Sequence, residues 1–299
     1  MLNSTRDLIG YGQKKPRFRW PNGAGLAINI VINYESGAER CILHGDKESE
    51  NYLADIPECS SFHNRRHLSA ESIFEYGSRC GIWRLHRIID QFELPATVFA
   101  CGLALQLNPG YANYLKRSIH EVAGHGYKWI DYSNISIDQE RQYIQKTISI
   151  IETMTNKSVL GWYTGRKSGA TQKLLTEVPL IYNSDSYADD LPFWKIIEEK
   201  RQLVIPYTLV TNDFRYSCSP GFSCAHDFYL ELKYAFDLQY AEANESPQLL
   251  TIALHDRLSG RPSRAHALLK FLKDISHKKD IWIATRAEIA NFYYQSLVT

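Results

Sequence analysis

The chain has 299 residues, of which 44% are hydrophobic and 22% charged, a composition typical of a globular protein with a full core. Its 34 basic and 33 acidic residues leave a net charge of +1, so bulk charge indicates neither a nucleic-acid partner nor binding to a membrane surface. No apolar stretch approaches the ~20 residues that cross a bilayer, and the polar N-terminus does not resemble a secretory signal. We therefore expect a cytoplasmic protein.

Strand-like and helix-like segments alternate along the chain. The first apolar run predicts a buried strand over 26–34. Further strands are predicted at 95–101, 119–123, 159–163, 180–184, 203–209, 249–254 and 281–284. Helices are predicted at 72–89, 109–118, 137–153, 170–177, 228–242 and 263–276, with a terminal helix after the last strand. No Gly-x-Gly-x-x-Gly follows a strand, which argues against a dinucleotide-binding fold.

This alternation predicts an α/β fold with about seven β/α units and strands of parallel character. A distorted, nearly closed (β/α) barrel fits best, and an open doubly wound sheet is the alternative. Because no repeat or linker divides the chain, we expect residues 1–299 to form a single domain with an N-terminal extension. The long irregular region 36–71 is typical of a functional loop or a lid.

Polar residues follow several of the predicted strands. Glu35 follows the first strand, His125 the third and His255 the seventh. Other polar or aromatic residues at strand ends are Trp162, Arg166, Asp185, Asp189, Asp190, Asp213 and Arg257. Because the carboxyl ends of parallel strands meet at one edge of a sheet, we expect these side chains to converge. Glu35 is the first candidate for a general base.

Each of these residues also has a structural interpretation. Glu35 is alternatively a solvated loop carboxylate, and His125 a turn histidine bonded to backbone. Because Asp189 and Asp190 are adjacent, their side chains diverge, and one of them is expected to cap a turn or to be solvated. The six cysteines contain no C-x-x-C pair, which argues against a structural zinc site.

Several longer motifs identify a family resemblance. They are RDLIGYG at 6–12, NYESGAE at 33–39, ESIFEYGSRCGIWRLHR at 71–87, GHGYKWIDY at 124–132, GWYTGR at 161–166, SDSYADDLPFW at 184–194, PYTLVTNDFR at 206–215 and LHDRLSGRP at 254–262. With these motifs the chain resembles the polysaccharide deacetylase superfamily, and within it the metal-independent allantoinases of the PuuE type. The resemblance implies a distorted β/α barrel and a homo-oligomer.

In the wider superfamily, two adjacent aspartates act as base and metal ligand, two histidines complete the metal site, and a later histidine is the general acid. By this resemblance Glu35 takes the base position and His255 the acid position. Ser36, His125 and Trp129 take the positions of the three metal ligands. Because serine is a poor ligand, tryptophan is none and a zinc site needs about three, we expect neither a metal nor another cofactor.

The resemblance implies a hydrolase that opens a C–N bond of a small cyclic amide, with allantoin as substrate and allantoate as product. Glu35 would activate water, its pKa raised by a desolvated pocket, and His255 would protonate the leaving nitrogen. The residues expected to bind substrate are His125, Trp129, Trp162, Arg166, Asp189 and Arg257. The alternatives are a metal-dependent deacetylase of N-acetyl sugars and an inactive paralogue that acts as a binding protein.

The chain departs from the allantoinase pattern at two positions. Ser36 stands where that subgroup usually has a second glutamate, and Gly124 stands where it has a serine. We expect both positions to lie in the pocket.

Overall fold

The computed structural model describes residues 6–296. Nine strands within this range form one sheet: β1 Leu26–Tyr34, β2 Thr97–Ala100, β3 Glu121–Gly124, β4 Gly161–Trp162, β5 Tyr182–Asn183, β6 Phe193–Ile197, β7 Lys200–Val204, β8 Gln248–His255 and β9 Ile281–Ile283. Their order is β6-β7-β5-β4-β3-β2-β1-β8, with β9 paired to the first residues of β1. The predicted α/β class and distorted barrel are confirmed, in the form of a curled, open half-barrel.

Most helices cover the outer face of the sheet, and the last one packs on the inner cluster. In the described residues they are α1 Leu68–Tyr76, α2 Ile82–Asp90, α3 Gly102–Leu107, α4 Pro109–Arg117, α5 Ile137–Thr155, α6 Thr171–Leu175, α7 Ala225–Glu242, α8 Pro262–Ile275 and α9 Arg286–Ser296. Among residues 6–296, none of the helices is both long enough and apolar enough to cross a membrane.

The helix predicted over 72–89 is divided by a π-helical segment, Gly77–Gly81. A Cβ at Gly77 would clash with Asp256, and a Cβ at Gly81 would overlap the Asp256 carbonyl oxygen. These glycines therefore let the loop after β8 lie directly on the π-helical segment. This contact places the loop residues beside the end of β1.

Side chains of the central strand β1 alternate between two apolar clusters. Ile28, Ile30 and Ile32 face outward and belong to the cluster that includes the helix residues Phe74 and Phe271. Ala27 and Val31 belong to the inner cluster, which Ile289 and Tyr293 of α9 close from below. Because successive residues of a strand point to opposite faces, the odd-numbered residues of β1 point into the half-barrel.

The strand β6 was absent from the sequence prediction. It pairs antiparallel with β7 at the edge of the sheet, whereas the other neighbouring strands pair in parallel. The hairpin turn is Glu198-Glu199, and both residues have positive φ, 47° and 66°. Such two-residue turns usually contain Asn or Gly, so two glutamates gave no turn signal.

A buried arginine spans the open side of the half-barrel, between β8 and the segment that follows β7. Arg286 is fully buried, and its guanidinium donates hydrogen bonds to the carbonyls of Ile205 at 2.9 Å and Pro206 at 3.0 Å. It also bonds the hydroxyl of Thr251 on β8 at 3.1 Å. Side-chain hydrogen bonds therefore replace strand pairing at this place.

Candidate active site

Three polar side chains from the ends of strands meet in one cleft. Glu35 follows β1, His125 follows β3 and His255 ends β8, and each continues the inward-facing alternation of its strand. The cleft encloses about 90 Å³. Its lining residues are Glu35, Tyr52, Leu53, His125, Trp129, Tyr163, Gly165, Arg166, Tyr187, Tyr207, Leu209, Asn212, Phe214 and His255.

Glu35 is 1% exposed and lies against one arginine and two histidines. Its Oε2 accepts a hydrogen bond from Arg257 Nη1 at 2.7 Å, while its Oε1 lies 3.0 Å from His125 Nε2 and 3.5 Å from His255 Nε2. Burial raises the pKa of Glu35, but Arg257 and the two histidines together lower the pKa by more. The pKa of Glu35 therefore lies well below its usual value. The predicted rise toward neutrality is wrong, because the burial comes with paired charges.

His255 lies between two carboxylates. Its Nδ1 is 2.6 Å from Asp213 Oδ1, and its Nε2 faces Glu35. The backbone N–H groups of His255 and Ser259 both donate to Asp213 Oδ2, at 2.8 and 3.0 Å, and hold that carboxylate in place. Burial lowers the pKa of His255, but Glu35 and Asp213 raise the pKa by more, so it lies above its usual value.

Asp213 had no role in the sequence prediction, although it was among the polar residues at strand ends. Its contact with His255 depends on the segment after β7 running along β8, where Asn212 bridges to Ala253. This pairing joins residues about 40 positions apart and leaves no local sequence signal. The nearby motif residue Asn212 lines the cleft as well.

His125 is held by two oxygen acceptors. Its Nδ1 lies 2.5 Å from the carbonyl oxygen of Tyr163, and its Nε2 lies 3.0 Å from Glu35. Because the Tyr163 carbonyl can only accept, Nδ1 carries a proton and donates to it, and Nε2 faces Glu35. The Tyr163 ring stacks on the imidazole with 5.3 Å between centroids and fixes its plane.

The wider superfamily implies a divalent metal, and the residues in the three ligand positions do not fit one. Ser36 is buried with its Oγ packed against Gly77, outside the cleft lining. Trp129 offers no lone pair. His125 offers one nitrogen, Nε2, because Nδ1 is engaged by the Tyr163 carbonyl, and the guanidinium of Arg257 occupies Glu35 Oε2. A tight site needs about three ligands with free lone pairs, which this donor set does not supply.

A second group of potential metal ligands lies outside the cleft. Nε2 of His120 is 3.1 Å from His86 Nδ1 and 3.2 Å from Asp90 Oδ1. However, the Ala96 N–H donates to His120 Nδ1 at 3.2 Å, so the neutral ring carries its proton on Nε2. Metal-binding histidines show the opposite arrangement, in which the second nitrogen donates. We therefore interpret this group as a hydrogen-bond network.

Arg257 and Trp162, both predicted to bind substrate, do not line the cleft. Arg257 is fully buried, and its Nε donates to the Leu53 carbonyl at 3.0 Å while Nη1 pairs with Glu35. It therefore holds the candidate base in place and does not face a ligand. Trp162 faces outward into a cluster with Ile144, Leu174 and Leu175, because the alternation along β4 turns Tyr163 inward.

Asp189 also lies away from the cleft lining. Its Oδ1 accepts a hydrogen bond from the Leu191 N–H at 3.1 Å, and its Oδ2 lies against Gly10 of the N-terminal extension. It therefore caps a turn and supports that extension. The same motif supplies Tyr187 to the cleft instead.

Trp129 and Arg166 do line the cleft. The Arg166 guanidinium lies 4.2 Å from the Trp129 ring, and its Nη2 donates to the Trp129 carbonyl at 2.5 Å. Tyr52 stacks on Trp129 with 5.7 Å between ring centroids. Tyr52 and Leu53 come from the region 36–71, so this long loop forms part of the cleft wall.

Neither Ser36 nor Gly124 lies in the cleft lining, which corrects the expectation for both. Both continue the outward-facing alternation of their strands, away from Glu35 and His125. A Cβ at Gly124 would overlap the ring of Trp162. The glycine therefore provides the space in which Trp162 packs against the sheet.

Gly124→Ser, which introduces the subgroup's residue, is expected to destabilise the protein by about 1–3 kcal/mol through overpacking against Trp162. Urea unfolding followed by circular dichroism measures this change. Gly169→Ser is the matched control, because a Cβ there meets nothing within 4 Å. Equal stability of the two variants would contradict the assignment of Gly124 to packing.

Comparisons with known proteins agree with this architecture. The family model described as polysaccharide deacetylase matches residues 66–178. A Schizosaccharomyces pombe protein named "Putative polysaccharide deacetylase" is 38% identical over 310 residues, which cover 97% of each chain. The solved structure of a "probable Polysaccharide deacetylase" from Pseudomonas aeruginosa PAO1 is 42% identical, with a TM-score of 0.96 over 99% of this chain and 100% of that chain.

A second solved structure, described as "Puue Allantoinase", is also 42% identical, with a TM-score of 0.97 over the full length of both chains. These likenesses extend along nearly the whole chain and include the strands that carry Glu35, His125 and His255. The chain therefore belongs to the polysaccharide deacetylase family, as a hydrolase of carbon–nitrogen bonds.

Proposed function

We propose that this protein hydrolyses a C–N bond of a small cyclic ureide, with allantoin as substrate and allantoate as product. The observation that carries the proposal is the Glu35 carboxylate 3.5 Å from His255 Nε2 in a narrow cleft. The 42% identity to the structure described as PuuE allantoinase supports the choice of substrate.

In the proposed reaction, Glu35 orients a water molecule and accepts its proton as the water oxygen bonds to the ring carbonyl carbon. The C–N bond breaks while His255 Nε2 donates its proton to the leaving nitrogen. A carboxylate with a lowered pKa is a weak base, so the proton must leave Glu35 readily. Because Glu35 Oε1 and His255 Nε2 are 3.5 Å apart, the proton can pass to His255 and restore both groups.

The shape of the cleft supports a small substrate. Six of its fourteen lining residues are Tyr, Trp or Phe, whose rings suit a flat substrate. Arg166 is the lining residue with a guanidinium, and we propose that it binds a carbonyl oxygen of the substrate. Tyr52 and Tyr187 line the cleft and are about half exposed, so they stand at its rim, and the enclosed volume of about 90 Å³ is small. These features favour a ureide over a polymer.

The test is a hydrolysis panel on metal-stripped protein, with allantoin, other cyclic ureides and N-acetyl sugar oligomers as substrates. We expect ring opening of a ureide that neither a chelator nor added zinc changes. Activity that is abolished by a chelator, restored by zinc and directed at acetyl sugars would establish the metal-dependent deacetylase instead. If no substrate is hydrolysed, the chain is better explained as a binding protein.

A further inference from the structure

Tyr207 faces the same cleft as Glu35, His125 and His255, and it is 5% exposed. It follows β7, in the motif PYTLVTNDFR, and was not among the predicted site residues. Its ring packs on that of Tyr163, with 4.1 Å between centroids, so the position of the hydroxyl group is well defined.

The hydroxyl oxygen of Tyr207 accepts a hydrogen bond from Asn33 Nδ2 at 2.7 Å. The same amide nitrogen lies 3.2 Å from the carbonyl oxygen of Leu254. Because a carbonyl only accepts, this contact determines which end of the Asn33 amide is nitrogen. Asn33 is therefore the donor and Tyr207 the acceptor.

The hydroxyl proton of Tyr207 is left without an acceptor among residues 6–296. Burial raises the pKa of Tyr207, so the group keeps this proton throughout the range of an activity assay. A hydroxyl that accepts one hydrogen bond becomes a better donor of the next. The side chain is thus prepared to donate to an oxygen that arrives with the substrate.

We propose that the Tyr207 hydroxyl donates a hydrogen bond to the carbonyl oxygen of the substrate as it becomes an oxyanion. This inference rests on the proposed hydrolysis, in which negative charge develops on that oxygen and the donor set does not fit a metal. His125 is less suited to the task, because Glu35 and the Tyr163 carbonyl already engage both of its nitrogens. Asn33 is the positioning residue that polarises the hydroxyl.

Tyr207→Phe tests this assignment, because it removes the hydroxyl and retains the ring. We expect kcat to fall by about 10²-fold, the size of one oxyanion donor, while KM changes by less than about threefold. Tyr182→Phe is the matched control: Tyr182 is a buried tyrosine whose hydroxyl bonds to Glu121, away from the cleft, and turnover should be retained. Unchanged kcat in Tyr207→Phe, or an equal loss in both variants, would overturn the inference.

A binding measurement separates this inference from the proposed function. A tetrahedral phosphorus analogue of the ring carries the oxyanion without needing turnover, and calorimetry gives its affinity for the wild type and for Tyr207→Phe. We expect the analogue to bind about 10²-fold more weakly to the variant, while a planar ureide binds both equally. If the wild type opens no ureide but this difference persists, the proposed function fails and the oxyanion site stands. Equal affinities for the analogue would refute the Tyr207 assignment whatever the substrate.

Discussion

Glu35→Gln is expected to lower kcat for ring opening by about 10²- to 10⁴-fold. The amide keeps the size of the side chain but cannot take a proton from water, and it no longer stabilises the protonated His255. The substitution also leaves Arg257 buried without its nearest anion, at a cost of about 3 kcal/mol in the free energy of unfolding. Steady-state kinetics should therefore be recorded with an unfolding curve, at a temperature where the variant is folded.

Glu39→Gln is the matched control for this experiment. Glu39 is also a buried carboxyl near the end of β1, and its Oε2 accepts the Gly37 N–H at 2.6 Å, but it does not line the cleft. Burial raises the pKa of Glu39 to about 7, so an uncharged amide suits its site. We expect this variant to retain turnover within about threefold. If both variants lose activity equally, or if Glu35→Gln remains active while folded, Glu35 is not the base.

For the wild type, kcat/KM is expected to be constant in mildly acidic solution and to fall tenfold per pH unit above the pKa of His255. The general acid must carry its proton, and Glu35 and Asp213 raise the pKa of His255 despite the opposing effect of burial, so the loss begins above the ordinary histidine value. The pKa of Glu35 is lowered, so this group stays ionised down to about pH 4 and contributes no acidic limb above that pH.

Asp213→Asn tests which groups set this alkaline limb. Removing the Asp213 charge should shift the alkaline limb to lower pH by about one unit or more. The maximal rate should also fall, because His255 Nδ1 loses its anionic acceptor. Asp280→Asn, where the carboxylate accepts from the Tyr240 hydroxyl far from the cleft, is the control and should leave the profile unchanged. A limb that stays in place in Asp213→Asn would show that His255 is not the titrating acid.

Much of the fold and part of the site could be predicted from the sequence, for reasons visible in particular residues. Apolar runs such as 26–34 and 249–254 are long enough to identify buried strands. The residues at the ends of these strands, Glu35 and His255, are thereby identified as site candidates. The hairpin at Glu198-Glu199 could not be predicted, because glutamate rarely adopts the positive φ that both turn residues have. The position of Trp162 at a strand end does not show which face its side chain takes; the alternation along the strand turns Trp162 outward and Tyr163 into the cleft.

The covalent sequence by itself determined the barrel class and the presence of a carboxylate and an imidazole at its mouth, because strand periodicity and strand ends are local properties of the chain. Only the tertiary structure decided the pKa values of these two groups. Arg257 and the two histidines lower the pKa of Glu35, and Asp213 raises that of His255, through contacts between residues that are distant in sequence. Protonation depends on the charges within a few ångströms, and those neighbours exist only once the chain has folded.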